Sequence, residues 1–102
     1  MNSAAATTIR QRLEALRPQV LEVARRYGAS NLRIYGSIAT GQEHLASDLD
    51  LLVDTTPETT LMDLGAIRLE LKRLLTVEVD VLTPGGLPES FRERVLREAS
   101  PV

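Results

Sequence analysis

Apolar residues recur along this chain with two different periods, and the switches between them mark its elements. Ile9, Leu13, Leu16, Val20, Val23/Ala24 and Tyr27 fall three or four apart, which predicts a helix from a cap at Thr7 or Thr8 to about Tyr27. Pro18 either kinks that helix or opens a second one, and Gly28 offers a C-terminal stop. The pattern then alternates. Leu32 and Ile34 against Arg33 and Tyr35 predict a strand over 32–35, and a short helix or turn over 37–41 leads into a loop over 42–47. A second strand is expected over 48–53. Helical spacing returns after Thr59 or Thr60, where Leu61, Leu64, Ile67/Arg68, Leu71 and Leu74/Leu75 form the expected buried stripe. Val77 to Leu82 alternates again as a third strand. Pro84-Gly85-Gly86 reads as a turn, and Pro88 opens a last helix carrying Phe91, Val95 and Ala99. The order αβαβαβα predicts a small α/β domain, with helices over one face of a short mixed sheet and the other face open.

Chemistry concentrates on that open face. Asp48 and Asp50 stand at i and i+2, so a strand projects both from one side, about 7 Å apart, while Leu49, Leu51 and Val53 point into the core. Adjacent carboxylates repel unless a cation sits between them, and hard divalent ions, chiefly Mg²⁺, take such oxygen ligands. Strict alternation in the third strand puts Val77, Val79 and Val81 on one face and Glu78, Asp80 and Leu82 on the other. Asp80 completes a triad if its strand neighbours the first acids. Three convergent carboxylates can hold two metals about 3.5–4 Å apart, an arrangement that serves in-line nucleotidyl transfer. Ahead of the acids, Gly36 allows close backbone approach, and Ser37 can cap a short helix whose N–H groups face a phosphate.

The run Tyr35-Gly36-Ser37-Ile38-Ala39-Thr40-Gly41, then Ser47-Asp48-Leu49-Asp50-Leu51-Leu52-Val53, then Val79-Asp80-Val81, resembles the DNA polymerase β-type nucleotidyltransferase superfamily. Within it the chain looks like a minimal nucleotidyltransferase domain, over nearly its whole length. The resemblance implies a polymerase β-like fold, ATP as substrate with Mg²⁺, two ions being expected, and transfer of AMP to a hydroxyl. It implies nucleotide binding at Gly36 and Ser37, and catalytic and metal-binding roles for Asp48, Asp50 and Asp80. It also implies an antitoxin role, in which a tyrosine of an HEPN-domain toxin receives AMP. Many relatives carry a basic residue where this chain has Ile38 or Thr40, and both are uncharged here.

Composition narrows the partners. The 102 residues suit a single domain over 1–102. With 43% hydrophobic and 25% charged residues the chain is expected to fold as an ordinary globular protein. No apolar run reaches the roughly 18–20 residues of a membrane span, and the start lacks a secretory signal pattern. With no cysteine as well, a cytoplasmic location is expected. A net charge of −2 and 3% aromatics argue against direct nucleic-acid binding. Other residues have plainer roles. His44 reads as a loop residue, Asp54 as a strand-ending acid, Glu78 as peripheral, and Arg92, Arg94 and Arg97 as a solvated helix face. Tyr27 and Tyr35 read as packing residues, and Arg33 as a minor candidate for a phosphate contact.

The resulting expectation is a protein adenylyltransferase acting as an antitoxin, in a homo- or hetero-oligomer. Two alternatives remain open at this point: an antitoxin that neutralises its partner by contact alone, and an aminoglycoside-type transferase completed by a second chain.

Overall fold

A computed structural model describes residues 8–36, 38–39, 41 and 48–102. Thr8 opens α1 (Ile9–Ala15) with a capping box: its hydroxyl accepts from the Gln11 N–H at 3.0 Å, and its own N–H donates to Gln11 Oε1 at 2.9 Å. A break at Leu16 starts a separate helix, α2 (Arg17–Arg26), with Pro18 in its first turn where a missing N–H costs nothing. Gly28, at φ +81°, turns the chain into β1 (Ala29–Tyr35). Its carbonyl accepts from Thr59 Oγ1 at 2.8 Å, so Thr59 ties two loops together and Thr60 caps α3 (Leu61–Leu75).

The sheet is mixed, with order β3-β2-β1-β4. β2 (Leu49–Thr55) runs antiparallel to β1, and α3 crosses over to bring β3 (Val79–Leu82) parallel to β2. A 3-10 turn over Pro84–Gly86 precedes α4 (Glu89–Glu98). The chain then returns as β4 (Ser100–Pro101) beside β1, a strand the sequence pattern does not predict. β1 is longer than expected because a bulge between Ser30 and Arg33, with Asn31 at φ +50°, breaks the alternation at its start.

Leu49, Leu51, Val53, Leu32, Ile34 and Val79 pack in one core with Leu13, Val20, Val23, Ala24, Ile67, Leu71 and Leu75 of the first three helices. The expected stripe of α3 holds from Ile67 onward, but Leu61 is 85% exposed, as is Met62. The first turn of α3 therefore projects beyond the packed layer. On the opposite face Leu52 is fully buried beneath Leu87 and Val95, with Tyr35 alongside. The acid face is thus roofed at that end. Phe91, one turn before Val95, remains 39% exposed. Among the described residues no helix is long and apolar enough to cross a membrane.

Candidate active site

Register brings the acids together. Asp50 on the central strand is the Cα partner of Tyr35 on one side and of Asp80 on the other. Asp48 lies one residue ahead of β2 and is exposed. The parallel pairing of β2 with β3 is what makes Asp50 and Asp80 neighbours, because both occupy the second position of their strands. Alternation turns both toward the face that α1–α3 leave uncovered.

The electrostatics follow. Burial pushes the Asp50 carboxyl from 3.8 up to about 6, helped by repulsion from Asp80 and then from Asp48. Tyr35 is pushed up to about 12 by burial and by the same two inner carboxylates, Asp50 and Asp80. A hard divalent cation relieves this repulsion, and carboxylate oxygens are its preferred ligands, so the donor set fits Mg²⁺. Among the described residues no three acidic or histidine side chains converge closely enough to share an ion in this conformation.

Gly36 ends β1 at φ +79° and touches the same centre. A Cβ placed there would lie 2.5 Å from Asp50 Oδ2. After it the chain turns: the Gly41 N–H donates to the Ile38 carbonyl at 3.3 Å. Ile38 itself is 1% exposed and belongs to the core, which accounts for an apolar residue there. Ser37, Thr40 and His44 lie outside the described residues.

Other candidates are engaged elsewhere. Arg33 is held by Asp54, Nη2 to Oδ1 at 2.7 Å, and Asn31 Nδ2 donates to the second oxygen of Asp54 at 3.0 Å. Asp54 is therefore a structural partner at the far end of the acid face, and Arg33 is committed to it. Glu78 pairs with Lys72 at 2.9 Å. Tyr27 donates to Glu70, which also pairs with Arg26 at 3.1 Å. Arg92 departs from the solvated face expected for it. It is half-buried and donates from Nη2 to the Leu87 carbonyl at 2.9 Å, while its buried Nε has no partner among the described residues.

Tyr35 packs as expected, but its place beside the carboxylates, like the second core around Leu52, was not read from the sequence. The signal for both was the outward phase of their strands, shared with Asp50.

The family model for the nucleotidyltransferase domain matches residues 16–102, which include Gly36 and all three acids. This chain belongs to the nucleotidyltransferase domain family. A curated relative from Methanocaldococcus jannaschii, described as a candidate protein adenylyltransferase, is 30% identical over 87 residues, 85% of this chain and 94% of that protein. The protein adenylyltransferase MntA of Thermococcus cleftensis is 30% identical over 77 residues, 76% of this chain and 78% of that one. Among solved structures, a chain described as a candidate minimal nucleotidyltransferase superposes with a TM-score of 0.79 at 44% identity, covering 88% of this chain and 92% of its own. A toxin–antitoxin structure with AMP-PNP shares the fold at a TM-score of 0.69 and 16% identity, over 82% of this chain and 69% of that one. The nucleotidyltransferase fold thus explains why two acids meet on neighbouring strands beside a glycine turn.

Proposed function

We propose that this protein is a Mg²⁺-dependent adenylyltransferase that moves AMP from ATP to a tyrosine hydroxyl of an HEPN-type toxin, and so acts as its antitoxin. The observation that carries the reading is Asp50, flanked by Asp80 in register and capped by Gly36. Support for a protein acceptor comes from relatives named protein adenylyltransferases, and support for a toxin partner from the toxin–antitoxin structure that shares the fold. Support for Mg²⁺ comes from the uncompensated repulsion that Asp48 and Asp80 exert on Asp50.

In this mechanism Asp48, Asp50 and Asp80 hold the metal, which when bound offsets the negative charge of the triphosphate. Gly36 and Ser37 hold the β- and γ-phosphates. Asp80, exposed on the edge strand, accepts the proton of the incoming hydroxyl. The hydroxyl oxygen bonds to the α-phosphorus as the bond to the β-phosphate oxygen breaks, and pyrophosphate leaves. The acceptor side of the site is supplied by the partner.

Incubating the protein and its partner with ATP labelled at the α-phosphate tests this. Label is expected on the partner with wild type and not with Asp80→Asn, while both forms co-purify with the partner. An Asp80→Asn protein that silences the toxin in cells as well as wild type does would replace transfer with neutralisation by contact.

A further inference from the structure

The turn between Gly36 and Gly41 receives no charge from Ile38 or Ala39, yet a cation from elsewhere in the chain reaches it. Arg10, on the first turn of α1, donates from Nη2 to the Ile38 carbonyl at 3.5 Å and to Ser100 Oγ of β4 at 3.4 Å. The Ile38 carbonyl is the same oxygen that closes the turn by accepting from the Gly41 N–H. Arg10 therefore links the N-terminal helix, the turn and the edge strand through one side chain. Burial of Ile9 and Leu13 on either side of it seats α1 against the core, so the guanidinium is delivered from a packed helix. Both contacts are at the long end of hydrogen bonding, and Arg10 Nε and Nη1 donate to no described residue. Arg10 also lies ahead of the residues that match the family, which begin at Leu16.

We infer that Arg10 is a positioning residue that sets the turn between Gly36 and Gly41 for the triphosphate, an assignment resting on the proposed function. A guanidinium on the closing carbonyl restrains the Ile38–Ala39 peptide unit from outside and so fixes the direction of the Ala39 N–H. Without it, the turn is still closed by the Gly41 bond but samples more geometries, and the entropy of ordering it falls on nucleotide binding.

The test compares Arg10→Ala, Arg10→Lys and Arg17→Ala. Arg17 bonds the Val102 carbonyl at 3.0 Å and serves as a control tie away from the turn. Mg-ATP affinity is read by calorimetric titration, kcat by label transfer, and the turn by exchange of the Gly41 amide. Arg10→Ala is expected to weaken Mg-ATP binding by about 3–10-fold, the scale of one modest hydrogen bond, and to leave kcat within about two-fold. Gly41 exchange should quicken, Arg10→Lys should recover most of the affinity, and Arg17→Ala should alter neither. Should Arg10→Ala not fold, Arg10→Gln keeps part of the stem without the charge and carries the same comparison. A folded variant with wild-type affinity and wild-type Gly41 exchange overturns the assignment. A wild-type protein that transfers no nucleotide overturns the proposed function instead, and Gly41 exchange then decides the tether by itself.

Discussion

Gly36 and Asp50 are in steric contact through the missing side chain: any Cβ at Gly36 would fall 2.5 Å from Asp50 Oδ2. The glycine does not merely clear space for a ligand. It makes room for the carboxylate on the neighbouring strand, and the two positions act as one feature.

Gly36→Ala therefore carries two penalties. The φ of +79° costs about 1–2 kcal/mol for an L-residue, and the displaced carboxylate adds to it. Gly41→Ala, at φ +77° with no atom within 4 Å of the new Cβ, should show the strain alone. Thermal melts and Mg-ATP titrations of both variants check this. Gly36→Ala should be the less stable and should lose nucleotide binding, and equal behaviour of the two would remove Asp50 from the explanation.

Asp50 makes the metal-free protein less stable as pH rises. Its folded value of about 6 lies above its ordinary 3.8, so the folded state binds the proton more tightly and unfolding releases it. Stability from this group is present below pH 3.8, falls as pH climbs toward about 6, and is flat beyond. Partial exposure screens the effect and keeps it modest. Asp50→Asn should thus match wild type near pH 4 and melt higher at pH 7.5 in chelator, and Mg²⁺ should raise the wild-type melt only. A mutant melting lower at pH 7.5 would contradict the repulsion.

Asp48 is exposed just ahead of β2 and supports no packing. Asp48→Asn should shift stability by less than about 0.5 kcal/mol. In calorimetry, Mg-ATP affinity should fall by about tenfold or more, equivalent to about 1.4 kcal/mol. Unchanged affinity would confine the metal to the strand acids.

Two leucines report on the fold. Leu52→Ala empties a fully buried position under α4 and should cost about 2–5 kcal/mol in denaturant unfolding, whereas Leu61→Ala, at 85% exposed, should stay within about 0.5 kcal/mol. Comparable losses would mean that the first turn of α3 packs against something in solution.

The legible parts of the sequence were those where one local rule governed. Thr60, one of the two residues expected to open α3, caps it, Gly28 and Gly36 adopt positive φ, and the helix–strand order follows hydrophobic period. Asp50 and Asp80 announced themselves by phase, since each sits among apolar residues that alternate inward. What could not be read depended on tertiary pairing. Ser100–Pro101 has no pattern of its own and becomes a strand only because Ile34 and Arg33 offer an edge. Leu52 breaks the alternation of β2, and its burial needed α4 to lie on the acid face. Leu61 matched the helical stripe but falls where the underlying layer has ended, which spacing alone does not reveal.

The β2–α3–β3 crossover has a kinetic consequence. Asp50 and Asp80 are distant in sequence and meet through the parallel ladder that the α3 crossover makes possible. Parallel pairing of this kind is a slow, non-local event, since the loop must be ordered before any ladder bond forms. The carboxylate pair of the proposed site is hence expected to assemble late. A nascent or partly folded chain would carry both acids apart, and the proposed chemistry would wait for completion of the domain.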